Sequence, residues 1–186
     1  MSNRFRLALV AFVVLFIWSG LSFIRYLYPF SHREMINQYA VDNNLSPFLL
    51  AAVVRVESRF KVRAYSSRGA IGLMQILPDT GRWAATQMGL GDIDPDLLYD
   101  PAINLRLGAW YLDWLRRDFD GNIIPALAAY NGGRRHVKEW LSSSIWDGKL
   151  ETIHQIPFGE TRDFVRRVIR DYRVYSVFYG GILFSQ

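Results

Sequence analysis

Five glutamates occur in the 186-residue chain, and one of them stands where a carboxylate is out of place. Glu57 closes the run FLLAAVVRV, which is apolar nearly all round as a helix and should be buried. Ionising a carboxylate there is costly unless a partner is supplied, and the negative end of a helix dipole adds to that cost. The expected result is a raised pKa, and a carboxylic acid that keeps its proton near neutral pH is what general-acid catalysis needs. On local sequence alone, a glutamate that has merely reached solvent at a helix end explains the same residues. The other four are ordinary. Glu34 lies three residues after Ser31 in a capping-box pattern, and Glu139 lies four after Arg135 as a helical surface pair. Glu151 is in a polar loop, and Glu160 opens a basic helix whose dipole favours it.

Downstream of Glu57 comes a serine- and glycine-rich stretch, Ser66-Ser-Arg-Gly-Ala-Ile-Gly72, followed by Leu-Met-Gln-Ile-Leu-Pro. Gly69 and Gly72 permit tight turns and close approach of backbone to a ligand. Gln75 is an amide among apolar neighbours and must find partners. A glycan's hydroxyl and N-acetyl groups would serve, and so would the protein's own core.

The elements that must position these residues read as helices. Ser31 and Glu34 predict one helix start, with Met35, Ile36, Tyr39 and Ala40 on its inner side. Ser46-Pro47 predicts the start of the apolar helix that ends at Glu57, and Asp100-Pro101 predicts another. Asn122 opens a short helix that Asn131-Gly132-Gly133 should stop, and a long one begins near Gly159 with Phe164, Val165, Val168, Ile169 and Tyr172 at helical spacing. No segment alternates with period two for long, so any sheet is small. The expectation is a mostly α, single globular domain over residues 31–186.

Residues 1–30 are a separate object. Residues 7–24 hold no charge and as a helix span about 27 Å, close to the ~30 Å of a bilayer's hydrocarbon core. Arg4 and Arg6 precede the run without a balancing acid, which keeps the N-terminus on the cytoplasmic side. A cleaved signal peptide shares the basic start, but the run is long for one and no Ala-x-Ala pattern follows. An uncleaved membrane anchor is the favoured reading, and either way the chain is exported.

Composition narrows the function classes. Absence of cysteine excludes disulfide scaffolds, thiol nucleophiles and cysteine-anchored lipoproteins. His32, His136 and His154 are scattered, so no metal site is expected, and no nucleotide-binding glycine motif occurs. No cofactor is called for. A formal charge of +5 suits an acidic partner, but the export signal disfavours nucleic acid.

Several blocks together resemble a known family. They are Glu57-Ser58-x-Phe60, then Ser66-x-x-Gly69-Ala70-x-Gly72-Leu73-Met74-Gln75-x-x-Pro78, Asn104-Leu105-x-Leu107-Gly108, Ala128-Ala129-Tyr130-Asn131-Gly132-Gly133, and Ile156-Pro157 with Glu160-Thr161-Arg162-x-Phe164-Val165. Their order and spacing resemble the catalytic domain of soluble lytic transglycosylases, which have a goose-lysozyme-like version of the α+β lysozyme superfamily fold. The resemblance implies that Glu57 is the catalytic acid/base and that Ser66 helps hold substrate beside it. It further implies that Gln75 contacts the glycan, that Tyr130 hydrogen-bonds near the glutamate, and that Asn131 lines the same cleft. Lys61-Val62 stands where members often carry Asn-Pro, and Leu77 where methionine is common.

The implied reaction cuts the bond between N-acetylmuramic acid and N-acetylglucosamine in peptidoglycan without water, leaving a 1,6-anhydro ring. The implied setting is the bacterial inner (cytoplasmic) membrane, with the domain facing the periplasm or cell exterior. Glycan strands are the expected partner, together with the membrane itself and an unidentified component of the cell envelope. Two rivals stay open: a hydrolytic goose-type muramidase, and an inactive murein-binding scaffold. The first needs a second carboxylate; no obvious candidate stands out, since Asp79 reads as a helix-start residue after Pro78, although folding could deliver any of the twelve aspartates.

Overall fold

The computed structural model describes residues 3–183, and the chain divides into two compact units, residues 1–32 and 33–186. The first unit holds one helix, α1 (Asn3–Leu27). Within it Leu9–Leu27 has a mean hydropathy of 1.9, long and apolar enough to cross a membrane. Phe12, Phe16 and Trp18 are exposed along it.

The second unit contains α2 (Arg33–Asp42), α3 (Pro47–Ser58), α4 (Pro78–Gln87), α5 (Pro101–Asp118), α6 (Ile123–Gly132), α7 (Arg134–Ser142) and α8 (Gly159–Leu183). Short 3-10 turns occupy Pro95–Tyr99 and Ile153–Gln155. Most predicted starts are where the capping chemistry puts them. The Asp100 carboxylate accepts from the Ala102 and Ile103 amides, and Asn122 accepts from the Ile124 amide. Ser46 takes the extended N-cap conformation, but its hydroxyl makes no capping bond, so Pro47 in the first turn sets that start. The Ser31 capping box does not form. His32 has a φ of 55°, which no first-turn residue can have, and α2 begins one residue later.

No strand occurs among the described residues. Two isolated bridges, Tyr65 with Ile71 and Ile71 with Ile76, are the whole of the extended pairing there. They pin the loop between α3 and α4 into a compact hairpin-like knot.

α3 is the central helix. Every residue from Phe48 to Val54 is buried, and its main partner is α8, with α2 on another side. Burying a Leu or Val side chain contributes about 1.5–3 kcal/mol, so this helix is the strongest local contributor to the core. Phe164, Val165 and Val168 are among the buried residues that α8 contributes to the core. Between the two helices lies a buried ion pair, Arg55 to Asp171 at 2.5 Å, and Arg170 reaches the other carboxylate oxygen at 2.9 Å. Gly108 on α5 lets that helix approach the site loop so closely that a Cβ there would overlap Met74.

Candidate active site

Glu57 sits in the last turn of α3, and the helix stops abruptly behind it. Arg59 and Phe60 both have left-handed backbone, φ 53° and 62°, and the Arg59 amide caps the Arg55 carbonyl. Two adjacent side-chain-bearing residues in that region are uncommon and costly, and such strain concentrates at functional sites. The turn leaves Glu57 at the floor of a cleft of about 200 Å³.

The second wall comes from the loop. The Ser66 hydroxyl accepts from the Ala70 amide at 2.9 Å, while the Ser66 amide donates to the Ala70 carbonyl and the Gly69 amide to the Ser66 carbonyl, closing the turn. Gly72 has a φ of 80°, and a Cβ on it would collide with Asn104 and the Leu98 carbonyl. Gln75 is left-handed too, φ 50°, and its side-chain NH₂ secures that conformation by donating to the carbonyls of Gly72 (3.0 Å) and Ala64 (3.3 Å). Its amide oxygen is therefore the atom left for a ligand.

The residue that clamps this loop is Asn104 of α5, which is fully buried. Its oxygen accepts from the Met74 amide at 2.8 Å, and its nitrogen donates to the carbonyls of Ile71 and Leu98 at 2.9 and 2.8 Å. Three bonds satisfy a buried amide that would otherwise be unfavourable.

α6 brings the third wall. The Tyr130 hydroxyl donates to the Met74 carbonyl at 2.8 Å, so its lone pairs remain able to accept in the cleft. Burial raises its pKa well above the ordinary value, and Glu57 and Tyr111 add to the shift. The Asn131 amide oxygen accepts from the buried Thr161 hydroxyl at 2.9 Å, which leaves its NH₂ as the group available to donate.

All five residues singled out by the sequence, Glu57, Ser66, Gln75, Tyr130 and Asn131, line this one cleft. Among the described residues Glu57 has no ion pair. Burial pushes its pKa up to about 8, Arg167 pulls it back and Glu160 raises it further. A half-buried carboxyl that stays protonated at neutral pH, beside acceptors, amides and hydroxyls, can donate a proton and take one back.

Position alone gives Glu160 a helix-dipole role, and the fold adds another. It also lines the cleft, paired with Arg68 at 2.8 Å across the rim. Its signal was present in the Glu160-Thr161-Arg162 block rather than in its helix position. Asn104 carried a signal as well, as the one amide on the apolar face of α5. The arginines of α8, the basic helix that Glu160 opens, are largely committed within the fold. Arg162 donates to the Ile156 carbonyl, Arg166 pairs with Asp163 and Arg170 with Asp171, and Arg167 lies near Glu57.

Comparison with known proteins adds an independent line. The family profile described as "Transglycosylase SLT domain" matches residues 34–153. The soluble lytic murein transglycosylase of Salmonella typhimurium is 32% identical over 82% of this chain and 24% of its own length. The membrane-bound lytic murein transglycosylase C of Actinobacillus pleuropneumoniae is 36% identical over 73% of this chain and 42% of that protein. Among solved structures, the 70 kDa soluble lytic transglycosylase of Escherichia coli superposes with a TM-score of 0.79 at 30% identity, covering 84% of this chain and 26% of that one. The chain thus spans about a quarter of the length of the Salmonella and Escherichia proteins.

Proposed function

The chain belongs to the transglycosylase SLT domain family, and from that premise we propose that it is a membrane-anchored lytic transglycosylase of peptidoglycan with Glu57 as its acid/base. The observation that carries the reading is an enclosed, unpaired carboxyl with a pKa near 8, in a cleft whose other walls offer hydroxyl and amide groups. Most glycosidases divide proton donation and nucleophilic or base chemistry between two carboxylates. Here protonated Glu57 gives its proton to the bridging oxygen between N-acetylmuramic acid and N-acetylglucosamine, and that bond breaks. The sugar's own N-acetyl oxygen steadies the positive centre at C1. Glu57, now ionised, takes the proton from the C6 hydroxyl of the same muramoyl residue as its oxygen closes onto C1. The proton returns to Glu57, no water is consumed, and the product end is a 1,6-anhydro ring.

Positioning an internal hydroxyl in place of a second molecule is worth up to about 7–11 kcal/mol where the geometry is ideal. The Gln75 oxygen, the Asn131 NH₂ and the Ser66 hydroxyl are the groups suited to hold the sugars in that arrangement. Tyr130, anchored to the Met74 carbonyl, fixes the wall beside Glu57. α1 is assigned as the anchor in the inner membrane, with Arg4 and Arg6 on the cytoplasmic side and residues 31–186 as the exported catalytic domain. The name of the Actinobacillus relative agrees with membrane association.

One observation favours a second reading. Glu160 provides the carboxylate that a hydrolytic muramidase would need for activating water. The two readings differ in product. Full-length chain incubated with purified murein sacculi should release muropeptides whose mass shows anhydro-muramoyl ends. Reducing muramic ends, heavier by one water, would assign hydrolysis instead. Failure to release any soluble fragment would leave a binding scaffold.

A further inference from the structure

The outer face of α8 changes character along its length. Asp163, Arg166, Arg170, Arg173 and Val177 follow one another at spacings of three and four, which places them on one stripe, and all five are exposed. Residues 162–173 hold five arginines against two aspartates, whereas residues 174–186 hold no charged side chain. Arg166 is paired with Asp163, and Arg170 shares Asp171 with Arg55, but Arg173 makes no ion pair among the described residues. Val177, one turn further on, is 75% exposed, more than any other large apolar side chain described in the second unit. Val174 and Phe178 flank it, half-buried.

This end of α8 lies at the start of α3. A Cβ on Gly180 would meet the Phe48 ring at 3.8 Å, while Glu160 in the first turn of α8 lines the cleft with Glu57. The two helices are therefore antiparallel, and Glu57 is about 14 Å along α3 from the charge-free turns of α8.

Basic turns that pass into charge-free turns on an exposed helix face suit the boundary between lipid headgroups and acyl chains. Apolar side chains enter that boundary, and arginines reach back to the headgroup phosphates. A polar glycan would satisfy the arginines and give Val177 nothing to enter. The length of the connection points to the same partner. Five residues, 28–32, separate α1 from α2, so a bilayer crossed by α1 is within about 20 Å of chain from the second unit.

We infer that the C-terminal turns of α8 dock on an anionic bilayer surface, with Arg173 at the lipid phosphates and Val177 in the interface. The inference rests on the reading of α1 as a membrane anchor. An anchor alone sets how far the domain can travel, whereas this contact also sets which way it faces. With the α8 end against the lipid, Glu57 at the far end of α3 is presented away from the membrane.

The chain has no cysteine, so the test is spin labelling of single cysteines in the full-length protein. Val177→Cys is compared with Leu15→Cys in α1 and with Ile145→Cys, an exposed site outside α8. Each is reconstituted in vesicles of phosphatidylglycerol and phosphatidylethanolamine. The readout is label accessibility to oxygen, which concentrates in lipid, against accessibility to a water-soluble nickel chelate. The labels at 177 and 15 should favour oxygen, and the label at 145 should favour the chelate. Arg173→Glu, or the milder Arg173→Gln, should lower the docked-to-undocked ratio read at 177 about fivefold or more. Vesicles of phosphatidylcholine alone should shift it the same way. Chelate preference at 177 with oxygen preference at 15 would overturn the docking and leave the anchor standing. Shielding of the 177 label from both reagents would also overturn it, in favour of contact with a second copy of the chain. Indifference to Arg173 and to lipid charge would sink the assignment of anionic headgroups as the partner. Chelate preference at 15 would instead overturn the anchor reading.

Discussion

Glu57 and Asp171 are two acids enclosed around the same helix, and the chain treats them in opposite ways. Asp171 on α8 is fully buried, but Arg55 and Arg170 grip both of its oxygens. Glu57 lies two residues beyond Arg55 on α3 and receives no such partner among the described residues. Burial decides its pKa, because the nearby charges pull in opposite directions, Arg167 lowering it and Glu160 raising it. One carboxyl is paired and fastens α3 to α8, and the other, left without an ion pair, has its pKa pushed up by burial. The lesson is that depth of burial alone does not mark a reactive acid; withheld partners do.

The largest expected effect tests the reactive half of that contrast. Glu57→Gln should lower the release of soluble muropeptides from sacculi by at least roughly 10²–10⁴-fold. Asp171→Asn should instead lower stability and leave turnover nearly intact. Removing the charge of buried Asp171 from half-buried Arg55 should cost roughly 3 kcal/mol in denaturant unfolding. Turnover per folded molecule should stay within a few-fold of the parent. If Asp171→Asn abolished turnover in fully folded protein, the division of labour drawn above would be wrong.

A third prediction concerns stability and pH. The Glu57 pKa is about 8 in the folded chain and near its ordinary 4.5 when unfolded, so the folded state holds its proton more tightly. That linkage favours folding fully below about pH 4.5 and is lost as pH rises through about 8. Between those values the parent should lose stability relative to Glu57→Gln by several kcal/mol. Thermal melts of the two at pH 4.5 and pH 8.5 should therefore diverge, with the glutamine variant the more stable at the higher pH. Parallel curves would mean that Glu57 is solvated after all. Activity of the parent should fall over the same interval near pH 8, as the acid loses its proton before substrate arrives.

The smallest effect is expected at Tyr130→Phe. Losing the bond to the Met74 carbonyl should cost about 1 kcal/mol, read as a small drop in melting temperature. The accompanying loss of turnover should be modest, about tenfold or less, because the tyrosine positions the cleft wall and transfers no proton.

Much of this was legible before any coordinates. Asp100-Pro101, Asn122 and Ser46-Pro47 mark helix starts because backbone amides at those points need acceptors or must be absent, a requirement met within three residues. Glu57 was conspicuous because its neighbours are apolar, and that too is local. The Ser31 capping box failed for want of a local guarantee: the pattern permits the geometry, and the backbone at His32 took another.

What the sequence by itself determined is the helical periodicity, the starts of α3, α5, α6 and α8, and five residues that line one cleft. Each follows from spacing within a turn or two, or from motif order. The tertiary structure alone decided which groups became neighbours and which stayed apart. Tyr130 bonds to Met74 across 56 positions of chain, Arg68 meets Glu160 across 92, and Arg55 meets Asp171 across 116. Desolvation and charge pairing act through space, so the raised pKa of Glu57 and the commitment of most α8 arginines exist only once the helices have packed.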